Sequence, residues 1–208
     1  MSTPTITYFS SRGLVEPIRV VLAIADVDYK ETGVGPYNVD NQPSGFTSLV
    51  AEKKLAFDAL PLWTEGEFSI TQSQAILRYV SNKYGLAGKG EEERAIVDMY
   101  TEGVRDFSAV ARGTTKELFQ KNVTKWLDRF EYLLNKSTSG FLVGDSITSA
   151  DALLWCLFDN WCSQGYIIPE EYTAIKAHKL KVEQNAGLQK YLNSGKRYPI
   201  QPLDVFKQ

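Results

Sequence analysis

The chain has 208 residues, 43% of them apolar and 23% charged, and 23 basic side chains against 25 acidic ones leave a formal net charge of -2. That length buries a sizeable core without disulfides or a structural metal, and so even a balance argues against nucleic acid as a partner. No stretch reaches the roughly 18 continuous apolar residues of a membrane helix, and Met1 to Ile6 lack the basic start and apolar run of a secretory signal.

Thr5-Ile6-Thr7-Tyr8-Phe9 is short, β-branched and aromatic, and it stops at Ser10-Ser11-Arg12-Gly13, so it reads as strand then turn. A helix follows, with Pro17 suited to its first turn and Ile18, Val21, Leu22 and Ala25 at helical spacing. Residues 33–48 carry three glycine or proline breaks by Pro36 and two more at Pro43 and Gly45, which predicts irregular structure with one strand inside it. Leu60-Pro61-Leu62-Trp63 and Phe68 to Ile70, separated by Glu65-Gly66-Glu67, predict a strand, a tight turn and a strand. Pro61 at a strand head needs an edge or special position. After Thr71-Gln72-Ser73 the spacing predicts a helix to about Tyr84.

Gly85-Leu86-Ala87-Gly88-Lys89-Gly90 is read as a linker, which divides the chain into residues 1–84, 85–90 and 91–208. Beyond it the strand signal nearly vanishes. Glu91 to Gly113, Thr115 to Asn135, Ser149 to Cys162, Glu170 to Asn185 and Ala186 to Ser194 each accept a helical reading. Thr148-Ser149-Ala150-Asp151 has the form of a capping box ahead of Ala152 to Trp155. Cys156 and Cys162 fall in an apolar segment without redox or zinc spacing, so they read as inert core thiols of a reducing, cytoplasmic protein. The single histidine, His178, stands among polar residues and is expected at the surface, which argues against histidine catalysis and a metal site.

Pattern alone therefore gives a small α/β domain followed by an all-α bundle. Four segments carry the reading further: Tyr8 to Arg19 with its Arg12-Gly13 pair, Leu60-Pro61, Ile70 to Leu77, and Glu93 to Gly103. In that order and at those separations the sequence resembles the cytosolic glutathione transferases over essentially its whole length, with alpha-like and mu-like segments side by side. The resemblance implies a thioredoxin-like N-terminal domain, an all-helical C-terminal domain, a homodimer, and glutathione as co-substrate with no metal.

It also implies roles for particular residues. Tyr8 would hold the glutathione thiol as thiolate. Leu60, beside a cis-Pro61, would pair with the cysteinyl backbone of the tripeptide. Gln72 and Ser73, at a helix start, would receive the γ-glutamyl carboxylate, and Asp106 of the partner subunit its ammonium. Lys53 is the expected cation for the glycyl carboxylate, with Lys54 beside it. Phe57 matches an aromatic that related classes insert into the neighbouring subunit. Phe9, Leu14, Arg112 and Phe206 are expected to line the electrophile pocket.

The chain departs from the pattern at Leu14, where alpha and sigma classes carry a second arginine, and at Ala59, where several classes have an amide side chain. Two other activities share the same implied site: a glutathione-dependent isomerase of the prostaglandin D synthase type, against which Leu14 argues, and a non-catalytic ligand carrier, which would not need Tyr8, Gln72, Ser73 and Asp106 together.

Overall fold

The computed structural model describes residues 2–206. The first residue of the expected N-terminal domain and the last two of the expected helical domain lie outside them. Strands β1 (Thr5–Tyr8), β2 (Lys30–Gly33), β3 (Leu62–Glu65) and β4 (Phe68–Thr71) form one sheet in the order β2-β1-β3-β4. β1 and β2 run parallel, with Thr5 opposite Lys30 and Tyr8 opposite Gly33. A parallel pair cannot close through a hairpin, and helix α1 (Glu16–Ile24) supplies the crossover. β3 is antiparallel to both β1 and β4, placing Trp63 between Ile6 and Ile70.

Two expectations for the irregular stretch need revision. The strand is β2, which begins at Lys30, ahead of residues 33–48, and all four of its residues are exposed, so it offers no alternation to read. Within the stretch, Ser44–Ala51 form helix α2, with Pro43 immediately before it. Proline and glycine here mark a helix start and not a break.

Helix α3 (Ser73–Lys83) completes the thioredoxin-like domain, and five further helices build the C-terminal one: α4 (Gly90–Ala109), α5 (Lys116–Lys136), α6 (Ser149–Cys162), α7 (Thr173–Glu183) and α8 (Ala186–Leu192). The expected helix from Glu91 thus stops four residues before Gly113, and the one expected from Glu170 begins only at Thr173. Between Lys83 and α4 the chain is anchored: Leu86 and Ala87 are buried, and the Leu86 carbonyl accepts the Ser149 N–H at 2.8 Å.

α6 is the centre of the helical layer. Ser149 to Phe158 and Trp161 are all buried, the signature of a helix surrounded on every side. It packs against α1, α4 and α7, which joins the two domains across α1. α8 also rests on α1, so closely that a Cβ on Gly187 would meet the Ala23 carbonyl oxygen at 1.9 Å. Only glycine permits that approach.

The capping box at the start of α6 is present, and it is part of something larger. Asp151, fully buried, accepts the Thr148 N–H and hydroxyl at 2.8 Å each on one oxygen, and the Leu142 N–H at 2.7 Å on the other. His178 Nε2 lies 2.9 Å from that second oxygen. His178 is therefore not on the surface: it is 2% exposed. Its polar neighbours in sequence lie on other faces of α7, whereas Ile175 and Val182, three and four residues away, share its buried face.

Cys156 is buried and Cys162 partly so, and burial pushes both thiols above their ordinary range, which suits unreactive core residues.

Candidate functional site

The turn after β1 brings together the first group of site residues. Tyr8 ends the strand with its ring buried, and the chain doubles back through Ser10 to Gly13 into a single 3-10 turn, Gly13–Val15. There the Leu14 N–H donates to the Tyr8 hydroxyl oxygen at 3.1 Å. Gly13 makes this approach possible. Its φ is +43°, and a Cβ would stand 2.6 Å from the Tyr8 hydroxyl oxygen, so a side chain there meets both backbone strain and a clash.

Burial raises the pKa of Tyr8; the Leu14 N–H, Arg19 and Arg112 pull the other way without prevailing. Tyr8 thus remains a neutral phenol at physiological pH. Its oxygen accepts the hydrogen bond from the Leu14 N–H, and its own proton is left to donate. Arg112, expected as a pocket residue, is exposed just beyond α4 and acts on Tyr8 electrostatically. Leu14, where a second arginine is missing, is 48% exposed.

The Leu60–Pro61 bond is cis, directly ahead of β3. Pro61 sits before the first ladder residue, where its missing N–H interrupts no strand pairing. Eleven residues after Pro61, Gln72 precedes α3 with φ 76° and ψ 110°, and no side chain caps that helix start. A non-glycine residue in this region carries strain of about 1–3 kcal/mol. An uncapped start leaves the first amides and the positive end of the helix dipole available to an anion.

The remaining expected residues are more dispersed. Lys53 follows α2 with a left-handed backbone, φ 53°, and is exposed, while its neighbour Lys54 pairs with Glu52 at 2.6 Å. Asp106 is exposed on α4, close in sequence to the Arg105–Glu102 ion pair. Phe57 projects from its loop with 70% of its surface exposed. Phe9 lies beside Tyr8, its ring packed on Tyr37 and on Phe46 of α2.

Phe206 is not brought to Phe9 and Leu14. Its ring packs edge-on against Phe119 and Trp161 and tilted against Tyr166, and it lines a groove of about 480 Å³ beside α5 to which Tyr8, Phe9, Leu14 and Arg112 do not contribute. The aromatic cluster offers its ring more apolar contact than the turn after β1.

Sequence reasoning missed the charged residues that hold the turn. Arg19, 1% exposed, donates from Nη1 to the Ser11 carbonyl at 2.9 Å and the Arg12 carbonyl at 3.3 Å, and from Nε to Glu31 at 3.0 Å. Burial depresses this guanidinium, but Glu31 and Glu16 outweigh it and its pKa lies above the ordinary value. The signal was visible: Glu16 and Arg19, three residues apart, interrupt the apolar helix α1, and buried charges are tolerated only when paired.

The fold and the site define a two-domain protein, a thioredoxin-like domain with a phenol at its first strand end and a helical domain docked across α1. A family model for "Glutathione S-transferase, N-terminal domain" matches residues 4–82, and one for "Glutathione S-transferase, C-terminal domain" matches residues 98–195. Glutathione S-transferase P 1 of Xenopus laevis is 34% identical over 95% of this chain and 96% of its own length. Glutathione S-transferase A2 of Mus musculus is 31% identical over 97% of this chain and 93% of its own. Among solved structures, a Nu-class glutathione transferase from Haemonchus contortus superposes with a TM-score of 0.83 at 26% identity, over 97% of this chain and 99% of that one. The chain belongs to the glutathione S-transferase family of enzymes.

Proposed function

We propose that this enzyme conjugates the thiolate of glutathione to hydrophobic electrophiles, and that the Tyr8 hydroxyl holds the thiolate. The observation that carries the reading is the 3.1 Å bond from the Leu14 N–H to the Tyr8 oxygen, which orients the phenol and leaves its proton for the sulfur. A free thiol has a pKa of about 8.5, and bringing it to about 6.5 takes roughly 2.7 kcal/mol. A hydrogen bond to a charged acceptor contributes about 1.5–3 kcal/mol and a helix end about 0.3–1 kcal/mol. One hydroxyl and the adjoining helical turn are sufficient.

The rest of the tripeptide is assigned to Leu60 beside the cis-proline, the uncapped start of α3 at Gln72 and Ser73, and Lys53 for the glycyl carboxylate. Asp106, exposed on α4, is assigned to the γ-glutamyl ammonium bound by a second copy of the chain, with Phe57 as the apolar contact between copies. The division between domains is placed at residues 85–90. The electrophile is seated between Leu14 and Arg112, beside Phe9, and the protein is assigned to the cytoplasm, where Cys156 and Cys162 stay reduced.

The test is titration of glutathione bound to the protein, followed by thiolate absorbance in the ultraviolet, for the wild type and Tyr8→Phe. The thiol pKa should lie well below about 8.5 in the wild type and return toward it in the variant, with the conjugation rate at neutral pH falling about ten- to hundredfold. An unchanged thiol pKa removes Tyr8 from the chemistry.

A further inference from the structure

A chain of charges crosses from the tail and α6 to the turn beneath Tyr8. Asp159, near the end of α6, accepts Arg197 Nη2 at 2.6 Å and Arg12 Nη1 at 3.4 Å on the same oxygen. Arg197 Nε continues to Glu16 at 2.6 Å, and Glu16 accepts Arg19 Nη1 at 3.2 Å. Arg12 also donates from Nε to the Tyr198 carbonyl at 2.7 Å, and the Tyr198 ring lies 4.8 Å from the Arg19 guanidinium.

Arg12 is thus held from the helical domain and from the tail, while Arg19 grips the carbonyl oxygens of Ser11 and Arg12 from below. Two residues after Arg12 comes the amide that orients Tyr8. We propose that Asp159 is a positioning residue for the thiolate: through Arg12 it sets the turn that delivers the Leu14 N–H to the Tyr8 hydroxyl.

The physical reason lies in the charges themselves. Burial lowers the pKa of Arg12 and the neighbouring Arg197 lowers it further; Glu16 and Asp159 oppose them without prevailing, so this guanidinium sits below its ordinary range and depends on the carboxylates it has. Without the Asp159 charge, two half-buried guanidiniums face each other with one carboxylate fewer between them. Their separation would carry Arg12, and the backbone attached to it, away from its present position. Hydrogen bonds weaken steeply with misalignment, so a shift of about 1 Å is enough to disengage Leu14 from Tyr8.

The inference rests on Tyr8 holding the thiolate, and the experiment separates the two. Thiol titration of bound glutathione and conjugation of chlorodinitrobenzene are measured for the wild type, Asp159→Asn and Asp159→Glu. Asp159→Asn should leave the KM for glutathione close to that of the wild type while its thiol pKa rises by about one unit, from about 6.5 to about 7.5, lowering the thiolate fraction and kcat at neutral pH about threefold. Asp159→Glu should recover most of that loss.

A thiol pKa in Asp159→Asn equal to that of the wild type overturns the inference, as does an equal defect in Asp159→Asn and Asp159→Glu. If Asp159→Asn does not fold, Arg12→Lys decides. It keeps the charge but loses the planar fork that spans Asp159 and Tyr198, and a wild-type thiol pKa there is equally fatal. A wild type that fails to lower the thiol pKa sinks the Tyr8 reading itself and the inference with it.

Discussion

Helices α3 and α6 start in opposite ways. At α6, Asp151 gathers the Thr148 amide and hydroxyl, the Leu142 amide and His178 around one fully buried carboxylate. At α3, Gln72 is exposed, takes a strained backbone conformation, and supplies no side-chain cap. Both starts present the same amides and the same positive dipole end. The first is saturated by the protein and serves stability. The second has no side-chain cap and a strained backbone, which suits the anion-binding role proposed for it.

The largest effect that would sharpen this contrast is at Asp151. Asp151→Ala removes the acceptor of all four contacts and should lower unfolding stability by about 3–5 kcal/mol, read from the denaturant midpoint. A loss below about 1 kcal/mol would mean that the saturated start is no anchor. Next comes Gly13→Ala, where positive φ and the clash with Tyr8 coincide. Conjugation should fall on the order of a hundredfold, or about 2.7 kcal/mol in the barrier, against a stability cost of about 1–2 kcal/mol. A variant that loses stability but keeps its rate would detach Gly13 from the chemistry.

His178→Leu leaves Asp151 one partner short and should cost about 1–3 kcal/mol of stability, while the rate per folded molecule stays at the wild-type value. Lost activity in the folded fraction would give His178 a role that its place on α7 does not suggest. Gln72→Gly releases the backbone strain, so stability should hold or rise by about 1 kcal/mol, while glutathione binds about tenfold more weakly. A destabilised variant would show that Gln72 is not strained.

The smallest effect concerns pH. The folded pKa of Tyr8 is raised above 10.0, so the stability from keeping this phenol neutral is fully present below pH 10.0 and is lost as pH rises through the folded value. Spectroscopic titration should show Tyr8 ionising later than an exposed tyrosine, by difference against Tyr8→Phe. Ionisation below 10 would reverse the balance of burial against Arg19 and Arg112.

Much of this molecule was legible in the sequence, and what was not has a common cause. β1, β3, β4, α1, α3 and α6 announced themselves through local chemistry: β-branched residues ending at a glycine turn, apolar spacing, and Thr148 three residues before Asp151. β2 did not, since an exposed edge strand carries no alternation, and α2 hid behind Pro43 and Gly45. Tyr8, Pro61 and Gln72 were expected as site residues only through the family resemblance that the motifs around them carry.

Only the tertiary structure decided which residues meet across long separations. His178 reaches Asp151, 27 residues away, and Phe206 joins Phe119 and Trp161 instead of Phe9. Arg12 finds Asp159 and Tyr198 at separations of 147 and 186 residues. Local propensity and periodicity are properties of neighbouring residues and survive in a one-dimensional text. A buried charge cluster is settled only when packing removes water and each charge must find the partner that the fold has brought within reach.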